Sequence, residues 1–134
     1  MTIQAQLTWT EGLQFVGRTD GGPAVVMDNP ESGSGASPME LLLMGTAGCT
    51  AMDVISILKK KRMPVTGFKV NISGKRADDH PRRYTEVDIE YVIYGTDIKI
   101  EAVQRAIDLS ENKYCGAMAS LNARITHSYR IEAP

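Results

Sequence analysis

The chain has two cysteines, Cys49 and Cys115, and each sits in company that bears on sulfur chemistry. Cys49 lies within SPMELLLMGTAGCTAMDVISILKKK, residues 37 to 61, where bulky apolar residues give way to GTAGCTA. The stretch reads as one long helix, and each glycine in a helix interior costs about 1 kcal/mol relative to alanine. Gly45 and Gly48 therefore need an offset, either close approach of another backbone or space beside the sulfur. A thiol reacts as its thiolate. A mid-helix position gains little from the helix dipole, and Asp53, one turn onward, is an anion that works against ionisation. A cation must come from elsewhere. The same collar of small residues also suits a structural cysteine at a tight helix crossing, since free cysteine is among the most buried residue types. Cys115 stands beside Gly116 at a helix break, with Lys113 two residues away; it reads as a mobile partner thiol or as a small core residue.

Other chemistry is thinly supplied. His80 falls in a polar turn, and His127 faces inward on the last strand as a core histidine. Neither forms metal-ligand spacing with the distant cysteines. Asp78-Asp79 is a turn pair, and Gly33-Ser34-Gly35 lacks the strand-to-helix setting of a nucleotide-binding loop. Asp and Glu number 16 against 15 Lys and Arg. No concentrated basic face marks a nucleic-acid partner, and the run Lys59 to Arg62 suits the C-terminal turn of a helix.

The elements around these residues are legible. Ile3 to Trp9, Leu13 to Gly17 and Ala24 to Met27 alternate as three short strands separated by Gly-containing turns. Asn29 to Ala36 is a loop, expected to be flexible at the edge of a site. Ser37, Pro38 and Glu40 spell a capping box at a helix start, and Pro64 marks its end. From Pro38 to about Arg62 that is roughly 25 residues, or ~37 Å. Val65 to Lys75 and Tyr84 to Tyr94 read as long strands. Thr96-Asp97 is expected to cap a second helix, with Glu101 four residues before Arg105. Ala123 to Ile131 closes the chain as a strand with Ile125, His127 and Tyr129 on one face. The order β-β-β-α-β-β-α-β makes one α+β domain, residues 1–134, with a mostly antiparallel sheet. The opening residues MTIQAQLTW carry no signal-peptide pattern, and the sequence reads as a cytoplasmic protein without a membrane-crossing segment.

SPMELLLMGTAGCT at 37–50, a second cysteine after an alanine-rich helix, and this element order resemble the OsmC/Ohr family of osmotically inducible and organic hydroperoxide resistance proteins. ENKYC and the later ITHSY are similar to its YhfA-type branch. The resemblance implies an OsmC-like fold in an intertwined homodimer, with the long helices at its centre and two sites at the subunit interface. It implies a thiol peroxidase that reduces organic hydroperoxides, with no cofactor beyond an external dithiol reductant such as dihydrolipoamide. Cys49 would attack the peroxide and become a sulfenic acid, and Cys115 would resolve it as a disulfide. Arg18, in FVGRTDGG, would supply the activating cation. Two positions depart from the active members. Met39 replaces a glutamate that orients the arginine, with Glu40 beside it, and Gly116 replaces a proline after the second cysteine. The departures leave room for a binding member of the same fold. In it Met39, Glu40, Met44 and Met52 would line a pocket for a small apolar ligand, although methionines at this spacing also serve as plain core.

Overall fold

The computed structural model describes residues 1–134. It resolves into two units, Met1–Leu42 and Leu43–Pro134. In the first, β1 (Ala5–Glu11), β2 (Gln14–Thr19) and β3 (Ala24–Met27) form an antiparallel sheet in chain order. Nearly all of its side chains are half-buried or exposed. The loop after β3 is tied rather than loose. Asp28 N–H donates to the Ala36 carbonyl at 3.1 Å, Ser32 N–H to Asn29 Oδ1 at 2.9 Å, and the Ser34 hydroxyl to the Asp28 carboxylate. Gly35 sits so close to β3 that a Cβ there would meet the Val26 carbonyl oxygen at 2.6 Å.

The long helix, α1, runs Pro38–Lys60. Its start is the capping box read from the sequence. Glu40 N–H donates to Ser37 Oγ at 3.2 Å, and Ser37 N–H donates to Glu40 Oε1 at 2.8 Å. Hydrogen bonding from Ser37 holds the Glu40 carboxyl below its ordinary range. The end needs no proline. Arg62 takes a left-handed φ of 59°, and Met63 N–H returns to the Leu58 carbonyl while Arg62 N–H returns to Lys59, which is the Schellman closure. Contrary to the sequence reading, α1 does have the length and hydropathy of a membrane-crossing helix, with a mean hydropathy of 1.8. Along it Thr46, Thr50, Val54 and Leu58 are buried, and Asp53 stands one turn beyond Cys49.

The second unit holds the core. β4 (Gly67–Arg76) pairs antiparallel with β5 (Tyr84–Tyr94), and β5 pairs in parallel with β6 (Arg124–Glu132). Three of the four strand pairings are antiparallel, as expected, and the one parallel pair has a connectivity reason. A parallel partner requires a crossover, and here α2 (Ile100–Leu109), a π-helical turn (Ser110–Tyr114) and α3 (Gly116–Ser120) provide it. As the middle strand, β5 buries Val87, Ile89, Tyr91, Val92 and Ile93, on both faces. Val54 and Leu58 of α1 and Val103, Ala106 and Ile107 of α2 complete the core. A fully buried isoleucine such as Ile89 contributes on the order of 1.5–3 kcal/mol. The expected Thr96-Asp97 cap is absent. Asp97 is left-handed at φ 58°, and α2 starts at Ile100 behind Lys99 without a side-chain cap. Arg105 pairs with Asp108 at 3.6 Å on the open surface.

Candidate functional site

Cys49 and Asp53 are one helical turn apart on α1 and so share a face. Cys115 reaches them from the segment that follows α2. The π-helical turn widens the chain after α2 and ends with Cys115 N–H donating to the Ser110 carbonyl at 2.7 Å. Cys115 then caps α3, its Sγ accepting the Met118 N–H at 3.5 Å. Insertions of this π type are frequent at functional sites. The outcome is a cluster in which Cys49 Sγ, Cys115 Sγ and an Asp53 carboxylate oxygen all lie within 4.8 Å of one another.

The two thiols, both free, differ in environment. Cys49 is half-buried and Cys115 buried. Burial pushes the Cys115 thiol up to about 11; the Met118 N–H pulls the other way, and the Cys49 sulfur beside it adds to the rise. Cys115 therefore stays a thiol at neutral pH. Lys113, considered a neighbour for it, lies over the Tyr114 ring instead, 5.3 Å from the centroid. One oxygen of Asp53 is engaged by the Ser110 hydroxyl at 2.9 Å. That leaves two sulfurs and part of a carboxylate, fewer donors than the four of a structural zinc site.

Behind the cluster runs a chain of hydroxyls that sequence reasoning did not find. Ser110 Oγ lies 2.7 Å from Thr50 Oγ1, which lies 2.8 Å from the Tyr91 hydroxyl. Tyr91 donates to Glu111 Oε2 at 2.8 Å. Glu111 Oε1 in turn meets His127 Nδ1 at 3.0 Å, and the Tyr91 and His127 rings meet edge-to-face at 6.2 Å. Burial holds the Tyr91 phenol in its protonated form. His127 is thus not the core histidine expected: its side chain is 40% exposed and it is satisfied by Glu111. One signal did lie in the sequence. A tyrosine among Val87, Ile89 and Ile93 on a buried strand must find a partner for its hydroxyl.

Of the other anticipated site residues, Arg18, Met39 and Glu40 belong to the first unit. Arg18 is exposed on β2, in register with Gln6 and Ala24. Met39 is half-buried, and Glu40 is spent on the cap. Met44 and Met52 are exposed on α1, Met52 by 73%. The space over Gly45 and Gly48 is open, with no atom within 4 Å of where a Cβ would stand. No close approach within the chain explains these glycines. Beside Asp53 opens a groove of about 430 Å³, lined also by Ile57, Lys60, Lys61, Leu109 and Tyr114.

The family described as OsmC-like protein matches residues 31–130. Protein YhfA of Escherichia coli K12 is 40% identical over 133 residues, covering 98% of this chain and 99% of that protein. A hypothetical protein from Aquifex aeolicus superposes with a TM-score of 0.84 at 33% identity, covering 98% of each chain. An organic hydroperoxide resistance protein from Elizabethkingia anophelis shares the fold, with a TM-score of 0.65 at 19% identity over 97% of each chain.

Proposed function

The chain belongs to the OsmC-like family, and on that premise we propose that it is a thiol peroxidase that reduces organic hydroperoxides at a Cys49–Cys115 centre. The observation that carries the reading is the convergence of both sulfurs and the Asp53 carboxylate within 4.8 Å. The Cys49 thiolate attacks one peroxide oxygen, the O–O bond breaks, and the alcohol leaves with a proton. Cys49 is now a sulfenic acid, oxidised by two electrons. Cys115 attacks that sulfur, the S–S bond forms, and the hydroxyl leaves as water. An external dithiol then exchanges into the disulfide, returns both thiols and is itself oxidised. A disulfide bond is about 2.05 Å long, so closure asks for a sulfur movement of up to about 3 Å, within reach of side-chain rotation and a shift of the short α3 segment.

In this reading Arg18 supplies the cation that Cys49 lacks on its own helix, and its guanidinium is charged at any working pH. The working unit is a homodimer. The open space over Gly45 and Gly48 and the exposed Leu42, Met44 and Met52 suit a second copy and an apolar peroxide better than they suit water. Met39 is assigned to the same apolar lining. Oxidative stress defence is the corresponding role. The test is peroxide consumption with a dithiol present: Cys49→Ser loses the activity, and consumption by that variant at the parent's rate would sink the reading.

A second reading, a binding protein for a small apolar ligand, has its own observation. The first unit holds an apolar groove of about 470 Å³ lined by Leu7, Leu13, Phe15, Met27, Pro30 and Pro38. It predicts that such a ligand raises the melting temperature of the parent and of Cys49→Ser alike.

A further inference from the structure

The hydroxyl chain behind the cysteines contains a proton that its hydroxyls do not account for. Ser110, Thr50 and Tyr91 are each fully buried. Their oxygens and the Asp53 and Glu111 carboxylates form four successive O···O contacts: Asp53–Ser110 at 2.9 Å, Ser110–Thr50 at 2.7 Å, Thr50–Tyr91 at 2.8 Å and Tyr91–Glu111 at 2.8 Å. A contact this short between oxygens needs a hydrogen in it. Each hydroxyl brings one, and an ionised carboxylate brings none. Three hydrogens cannot fill four contacts, and no exposed surface lets water supply the fourth to the middle of the chain.

We propose that Asp53 and Glu111 hold one proton in common, passed between them through Ser110, Thr50 and Tyr91, and that this relay takes up and returns the proton Cys115 gives up when it joins Cys49. The first half stands on the contacts alone; the second rests on the redox reading of the cysteines. With the proton at Asp53, all four hydrogens point towards Glu111. When each hydrogen moves to the next oxygen, Glu111 becomes the acid and Asp53 a carboxylate. Asp53 then accepts the Cys115 proton, the sulfur attacks Cys49, and the departing hydroxide recovers a proton from Asp53 as water. No proton is gained or lost over the step. At Asp53 the relay faces Cys49 on its own helix, Cys115 after the π turn, and Lys60, Lys61 and Tyr114 around the groove. At the other end Glu111 faces Tyr91 of β5 and His127 of β6, and the partly exposed histidine is the outlet to solvent.

Infrared spectroscopy of the resting, reduced protein tests the shared proton without any peroxide. A carbonyl band from a protonated carboxyl is expected at neutral pH in the parent and in Thr50→Ser. It disappears in Thr50→Val, Tyr91→Phe and Ser110→Ala, because removing any one hydroxyl leaves two contacts and two hydrogens. A parent without the band, or a band that persists in whichever of those three variants fold, overturns the proposal. The coupling to sulfur is read with diamide, an azo oxidant that takes two electrons and two protons from a thiol pair. Asp53→Asn slows Cys49–Cys115 disulfide formation on the order of 100-fold at neutral pH, shifts the rate towards higher pH, and is rescued by Asp53→Glu. An unchanged pH profile in Asp53→Asn overturns the coupling. A protein that shows the band and closes the disulfide with diamide but ignores hydroperoxides retains the relay and loses the peroxidase reading instead.

Discussion

The two sheets of this chain treat their apolar residues in opposite ways. β5, in the middle of β4-β5-β6, has five large side chains with almost no exposure, Val87, Ile89, Tyr91, Val92 and Ile93. The β1-β2-β3 sheet leaves Leu7, Trp9, Val25 and Val26 in the open, Trp9 by 63%. α1 repeats the contrast on its own surface. Thr46, Thr50, Val54 and Leu58 form a buried stripe at four-residue spacing, while Gly45, Met44 and Met52 are uncovered. One sheet is supported by its own unit. The other leaves apolar side chains exposed, a surface that a second copy would cover in the proposed homodimer.

Substitutions test the difference between the two sheets, and the costliest is in the core. Ile89→Ala should cost about 2–5 kcal/mol in urea unfolding, the range for a truncated core side chain, and the loss should not depend on protein concentration. Trp9→Ala should cost little in dilute protein and progressively more as concentration rises, since mass action couples stability to association. Equal, concentration-independent losses in the two would erase the distinction between the sheets. Gly45→Leu sharpens it on α1. The open space accepts the side chain within one chain, so the monomer stays folded. Against a second copy, overpacking of about 1–3 kcal/mol would weaken the dimer roughly fivefold to 150-fold, as sedimentation would read. Ser37→Ala removes one half of the capping box and should cost about 1 kcal/mol.

A pH prediction belongs to the buried side of the comparison. The folded state raises the Cys115 thiol from 9.0 to about 11 by burial, so the unfolded chain releases that proton first. The contribution is whole below about pH 9 and is lost as pH rises towards about 11, because the native state then binds more protons than the unfolded one. Cys115→Ala should flatten the alkaline limb of the stability curve between those values. The smallest effect is at Arg105→Ala, whose partner Asp108 is exposed, and there a change within about 0.5 kcal/mol is expected.

What could be read from the sequence was whatever local chemistry dictates. Ser37-Pro38-Met39-Glu40 announces a helix start because a hydroxyl and a carboxylate three residues apart can each satisfy a backbone N–H. Tyr84 to Tyr94 was legible to the residue, because its apolar run is bounded by polar turns. The misses have tertiary causes. Arg62 takes a left-handed conformation that sequence assigns to glycine, and Asp97 spends itself on a turn rather than a cap. The one parallel pair, β5 with β6, follows from the crossover and leaves the expected mostly antiparallel pairing intact. At the site, the two thiols were legible as residue types. Their convergence with Asp53 depends on a π-helical turn, and the relay joins residues up to 60 positions apart. Asp53, read from sequence as a hindrance to Cys49, becomes the group best placed to move the pair's proton.

In the proposed function Cys49 and Cys115 form one redox centre. Its most direct test is to add one equivalent of cumene hydroperoxide to the reduced protein and count free thiols. Both thiols are expected to be lost together, with a Cys49–Cys115 disulfide in the peptide map and full recovery on adding a dithiol. Two surviving thiols would contradict it.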